Sequence, residues 1–222
     1  MSNFEQQLSH VGEGSLATNK VLRNTYLLLS MTLLFSAFTA GIAMALNIPQ
    51  GAALVLSLVA FGMIFWINKV ADTSQGLIAV FAFTGCMGAA LGPMLNHYLA
   101  LANGPMVVMQ ALGGTALIFL TLSGYVLTSR KDFSFLSGFL FTGLIVVVVA
   151  MLLNLFFQIP VLSLALSGAI VLLMSGFILF DTSRIIHGGE TNYIRATVSL
   201  YLNIYNLFTS LLHILGVVGG DD

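Results

Sequence analysis

Asp181, Arg184 and a run of polar residues that follows them are the groups in this sequence with chemistry to offer. Asn192, Arg195, Ser199, Asn203, Asn206, Ser210 and His213 succeed one another at intervals of 3, 4, 4, 3, 4 and 3 residues. Wound as an α-helix at about 100° per residue, they share an arc of roughly 80°. The residues between them are largely apolar, so the stripe carries amides, hydroxyls and a guanidinium along what reads as a membrane span. Such groups need partners in hydrocarbon, and this helix must therefore face a protein interior or a wet cavity. Two kinds of chemistry fit: interhelical hydrogen bonding, and solvation of an ion or proton along an aqueous path. Asn203 and Asn206, roughly 15–20 Å along the helix from Tyr193 at 1.5 Å per residue, fall near the bilayer middle, and both readings are open for them.

Asp181 closes a long apolar run, and Arg184 lies three residues later on the same helix face. One reading is an interfacial ion pair that marks the helix end, worth roughly 0–1 kcal/mol. The other is a carboxylate reaching into the bundle toward Asn203 or Arg195, where it would line an ion path or sense a proton.

Other chemistries find little support. His10, His97, His187 and His213 are scattered without metal-ligand spacing, and no cofactor motif is present. Ser167-Gly168 and Ser175-Gly176, with His213 as a base, approach the pattern of intramembrane serine proteases, but both lack the glycine two residues before the serine. Gly188-Gly189 is too short to cradle a phosphate, and seven basic residues are too few and dispersed for nucleic acid. The chain reads as a non-enzyme without cofactor or metal.

The elements that position these groups are membrane helices. With 58% hydrophobic residues, 7% charged residues and a mean hydropathy of +1.01, the chain is an integral membrane protein whose partners include the lipid bilayer. About 20 helical residues cross a hydrocarbon core of about 30 Å. Seven stretches meet that length or approach it: Val21 to Leu46, Gly51 to Ile67, Gly76 to Leu99, Met106 to Thr128, Phe133 to Phe157, Val161 to Phe180 and Tyr193 to Val218. Runs such as Leu144 to Leu153 show none of the alternation that membrane strands require. The expected fold is thus an all-α seven-helix bundle over residues 20–222, preceded by a polar tail at 1–19. That tail has neither an apolar core nor a small-residue cleavage site, so it does not read as a removed signal peptide. The lone Cys86 lies within the third span.

Lys20, Arg23, Lys69, Arg130, Lys131, Arg184 and Arg195 all fall on one side of such a bundle. The positive-inside rule then predicts a cytoplasmic N-terminus, with Asp221 and Asp222 outside. Pro49, Pro105 and Pro160 each stand where the next helix begins after an outer turn, and their regular separation suggests three tandem hairpins followed by a lone seventh helix that six others can surround. Gly92-Pro93 lies within the third span, where proline breaks the ladder. Gly85/Ala89 and Gly88/Gly92 have small-xxx-small spacing, so this region is read either as a tight packing face or as a hinge.

Three blocks resemble a known family. They are Lys20-Val21-Leu22-Arg23-Asn24-Thr25-Tyr26; Phe83-Thr84-Gly85 with Leu91-Gly92-Pro93-Met94-Leu95-Asn96; and Ile185 to Arg195 followed by Ser199-Leu200-Tyr201-Leu202-Asn203-Ile204-Tyr205-Asn206-Leu207-Phe208. They resemble the Bax-inhibitor family, and within it the bacterial inner-membrane members that modulate the membrane-bound AAA protease. The resemblance covers nearly the whole chain after about residue 18. It implies a seven-helix bundle with a central last helix, a bacterial inner-membrane location and a protease partner. Other members are described as pH-sensitive calcium leak channels whose two aspartates share a proton. Asp181 matches the first of these, whereas Asn203 occupies the second position. An amide cannot share a titrating proton, so the resemblance favours protease modulation over a calcium or cation leak.

Overall fold

The computed structural model describes the backbone of residues 3–219 and the side-chain surroundings of residues 18–219. His10 among the histidines, and Asp221 and Asp222 in the expected orientation, lie outside the described side chains. Helices follow in the order α1 (Asn3–Ala45), α2 (Gln50–Val70), α3 (Gln75–Ala90), α4 (Gly92–Leu99), α5 (Gly104–Ser129), α6 (Ser137–Phe157), α7 (Pro160–Ile186) and α8 (Tyr193–Val218), with a 3-10 turn at Ser134–Leu136 before α6. α3 and α4 together make one span, so seven helices are long and apolar enough to cross a membrane.

Proline and left-handed residues punctuate the hairpins. Pro105 and Pro160 occupy first turns, and Pro49 is the N-cap of α2; a missing N–H costs little at these positions. Asn47, Arg130 and Gln158 close turns with φ of 48°, 50° and 49°. The N–H of Arg130 returns to the Val126 carbonyl and that of Gln158 to the Asn154 carbonyl, satisfying groups that a helix end leaves open.

α8 is the most buried span. It is lined by α1, α3, α5 and α7, while α2 leans on α3 and α6 on α7. The last helix is thus central but not ringed by six neighbours, as the hairpin pattern suggests. The reason lies in polarity: α8 must satisfy its amides and hydroxyls against protein, whereas α2 and α6 present mostly apolar faces that lipid solvates. Leu200, Tyr201, Leu207 and Leu212 of α8 are fully buried alongside Phe83 and Ile178.

The small residues of the third span set its distance from α1. A Cβ on Gly88 would strike the Ser36 carbonyl and the Thr39 hydroxyl, and one on Gly92 would lie 2.7 Å from the Ala43 Cβ. Between α3 and α4 the ladder is interrupted at Leu91, whose N–H turns to the Gly88 carbonyl at 3.0 Å, and Pro93 takes a first-turn position in α4. α7 runs beyond the apolar stretch that ends at Phe180 and reaches Ile186, so Asp181 and Arg184 share one helix as read, with Asp181, Thr182, Ser183 and Ile185 buried.

Candidate functional site

Asp181 is 7% exposed, and its neighbour Thr182 is fully buried. The carboxylate accepts two hydrogen bonds at Oδ2, from Ser199 Oγ at 2.6 Å and from Asn203 Nδ2 at 2.7 Å. Both donors come from successive turns of α8, which the i, i+4 spacing places on one face. Arg184 does not pair with Asp181. Its guanidinium donates to the Gly189 carbonyl at 3.2 Å and lies 3.9 Å from Glu190, folding the loop after α7 back on itself. The carboxylate is therefore held chiefly by neutral dipoles. Beside it a cavity of about 20 Å³, lined by Arg184, Glu190, Arg195 and Ser199, has room for about one water molecule.

The polar stripe of α8 divides into three parts along its length. At the basic end Asn192 is the N-cap, accepting from the N–H groups of Ile194 and Arg195 at 2.9 and 3.1 Å. Its amide nitrogen donates to the Ala71 carbonyl at 3.0 Å and to Asp72 Oδ1 at 2.7 Å, and Arg195 pairs with Asp72 Oδ2 at 2.9 Å. These bonds fasten the start of α8 to the loop after α2. Ser199 and Asn203 then engage Asp181. Toward the other end His213 Nδ1 lies 2.8 Å from the buried Ser167 hydroxyl of α7. Asn206 instead donates to the Leu202 carbonyl of its own helix at 2.9 Å, and Ser210 is buried. Gly92 and Pro93 lie apart from this stripe, where the third span meets α1.

Hydroxyl contacts that no local pattern announces complete the surroundings. Tyr26, Ser123 and Thr182 meet across α1, α5 and α7, with the Tyr26 and Ser123 oxygens in direct contact. Ser36 and Tyr201 join α1 to α8 at 2.7 Å, and Thr197 donates to the Thr25 carbonyl at 3.3 Å. The only advance signal for Asp72 is that an acidic residue stands in a short loop on the basic side.

Chemically, this arrangement clamps helices. Ser167 and His213 do meet, but Ser167 Oγ also back-bonds to the Ser163 carbonyl at 3.1 Å in mid-helix, where backbone N–H groups are committed to the ladder and none is free to form an oxyanion hole. Among the described residues no group of three or more His, Cys, Asp or Glu side chains gathers to hold a metal.

Comparison with known proteins agrees with the fold and the blocks described above. The family model described as inhibitor of apoptosis-promoting Bax1 matches residues 18–220. The chain is 57% identical over 211 residues to a membrane protein of Vibrio cholerae, covering 95% of each chain. It is 54% identical over 214 residues to the modulator of FtsH protease YccA of Escherichia coli K12, covering 96% of this chain and 97% of that one. The inner membrane protein YccA of E. coli strain CFT073 matches to the same extent. The chain therefore belongs to the Bax-inhibitor family, as an integral membrane protein with seven helices long and apolar enough to cross a membrane.

Proposed function

We propose that this protein resides in a bacterial inner membrane, binds a membrane-embedded AAA quality-control protease there and alters the turnover of membrane-protein substrates. The observation that carries this reading is the 54% identity, over 96% of the chain, to a modulator of FtsH protease. The N-terminal segment 1–19, as a cytoplasmic tail ahead of the bundle at 20–222, serves with the lipid-facing helix surfaces as the contact region. Asp181, Ser199 and Asn203 keep the last two spans in one relative position, with Asn192 and Arg195 fixing the start of α8. The seven basic residues set the orientation, tail inside and the end of α8 outside.

Co-purification of the full chain and of a chain lacking residues 1–19 with the protease, combined with the half-life of a membrane substrate, tests the proposal. Association and a changed half-life with the full chain are expected, both reduced without the tail. No association and an unchanged half-life would overturn the proposal.

A calcium or cation leak is the second reading, supported by the polar stripe and by the small cavity beside Asp181. Asn203 weighs against it, since calcium favours several oxygen ligands, often carboxylates, and a neutral amide stands where a second one would be needed.

A further inference from the structure

α1 and α5 both pack on α8 and hardly on each other, and the gap between them is a cleft of about 510 Å³, within the roughly 300–1,000 Å³ of small-molecule sites. Ile204, Tyr205 and Phe208 of α8 line it, and Leu112 and Leu120 at its edge are exposed to the lipid. Its α1 wall runs from Ser30 to Met44, about 21 Å at 1.5 Å per residue, so the mean cross-section is about 25 Å². A helix 10–12 Å across needs several times that section. The cleft therefore has the shape of a chain with a flat ring held edge-on, and is too slender for another span.

Among the described residues that line it none is charged, and its hydroxyls are not equivalent. Ser30 Oγ donates to the Tyr26 carbonyl at 2.9 Å, and Thr115 Oγ1 to the Ala111 carbonyl at 2.7 Å. Tyr201 donates to the Thr84 carbonyl at 3.5 Å, so the proton between Ser36 and Tyr201, 2.7 Å apart, comes from Ser36. Tyr205 is the exception, because its hydroxyl has no partner among the described residues. There every fully enclosed side-chain nitrogen or oxygen has a partner, so this hydroxyl keeps accessible surface, and the cleft is the open space that Tyr205 borders. One phenolic proton is left to be accepted from outside.

Depth narrows the acceptor. Tyr205 is the thirteenth of the 26 residues of α8, about 18 Å from its start, which places it near the middle of a hydrocarbon core of about 30 Å. The ester groups of phospholipids lie about half that thickness away, and their acyl chains carry no acceptor at this level. The complement is a molecule dissolved in the hydrocarbon that brings an acceptor oxygen to the midplane. Phe119 and Phe208, aromatic like Tyr205, also line the cleft, and such walls favour a flat ring.

We propose that this cleft binds an isoprenoid quinone from the bilayer midplane. Tyr205 donates its hydroxyl proton to one quinone carbonyl oxygen, the ring lies among Phe119, Tyr205 and Phe208, and the apolar tail follows the α1 wall past Ala37.

The test uses the full chain in phosphatidylcholine nanodiscs with equal amounts of a decyl-1,4-benzoquinone and of decylbenzene, which lacks both carbonyl oxygens. Native mass spectrometry reads which compound stays bound. One hydrogen bond of ordinary strength corresponds to roughly two- to tenfold preferential retention of the quinone. Tyr205→Phe should bring that ratio close to one. Ala37→Leu combined with Ala116→Leu, two exposed positions that line the cleft, should reduce retention of both compounds by filling it. Equal retention of the two compounds by the unmodified protein overturns the proposal without reference to any variant, as does an undiminished preference in Tyr205→Phe. If the double variant loses a bound phospholipid or a second copy of the chain while quinone retention is unchanged, the cleft has another occupant and the proposal is likewise overturned.

Discussion

Asn203 Nδ2 lies 2.7 Å from Asp181 Oδ2, so the most buried acidic side chain of the described bundle is held by an amide from the neighbouring helix. Asp181 and the donors Ser199 and Asn203 form one unit, and removing a donor leaves the carboxylate under-satisfied in a low-dielectric interior. Asn203→Leu is expected to lower stability by about 1–3 kcal/mol, read as a fall in melting temperature in detergent. Combined with Asp181→Asn, the loss should be less than additive, because the two substitutions remove the same interaction.

Replacing the amide by a second carboxylate changes the physics. In Asn203→Asp two acids face each other at hydrogen-bond distance and hold one proton between them. Raising the pH removes that proton and sets like charges together, so the variant should lose stability more steeply than the unmodified protein as pH rises. Calcium flux in proteoliposomes should be weak and nearly independent of pH for the unmodified protein, and more steeply pH-dependent for the variant.

The junction of α3 and α4 separates the roles of its two adjoining residues. Gly92→Ala places a methyl group 2.7 Å from the Ala43 Cβ and 3.0 Å from the Ala43 carbonyl carbon, which forces α1 to shift. Overpacking of this kind costs about 1–3 kcal/mol. Pro93 sits in the first turn of α4, where proline is tolerated, so Pro93→Ala should change stability by less than about 1 kcal/mol. Parallel thermal melts of the two variants check the contrast.

Asp132, in the loop before α6, is held below the ordinary carboxylate range by the Ser134 backbone N–H, then by the Ser134 hydroxyl, with a smaller contribution from His187. A lowered carboxylate stabilises its turn above the unfolded value of about 3.9 and loses that contribution as pH falls through the folded value. Protection of the Ser134 amide, taken relative to its intrinsic exchange rate at each pH, should therefore be lost only on the acid side, as pH falls through the folded value. Asp132→Ala should show low protection throughout, because the acceptor of the 2.8 Å bond from the Ser134 N–H is gone.

Reporter fusions at Thr73, Lys131 and His187 should read cytoplasmic, and those at Gly104 and Gly219 external. A consistent reversal beyond Lys69 would require a different number of crossings from the seven described.

Much of this was legible from residue types because hydrocarbon imposes strong rules. Apolar runs marked seven spans, and a polar stripe at helical period marked α8 as the one that lipid cannot solvate. The stripe also gave Asn203 as a partner within reach of Asp181, but only as one of two readings. The competing Arg184 pairing failed because the chain turns at Gly188, with φ of 73°, and brings Gly189 and Glu190 to the guanidinium instead. Nothing local distinguished Ser36, which meets Tyr201 across 165 positions, or Tyr26, which meets Ser123 across 97. Serine and tyrosine are ordinary in membrane helices, and their partners are decided by crossing geometry rather than by spacing along one helix.

The central place of α8 has a consequence for how the bundle comes into being. It follows the other six spans in chain order, yet it supplies the partners of Asp181 on α7 and of Ser36 on α1. During synthesis those spans enter the bilayer before their shared neighbour exists, and the groove it will fill stays open until the final segment leaves the ribosome. The first six helices are thus an unfinished receptacle, and arrival of the seventh is the event that completes assembly.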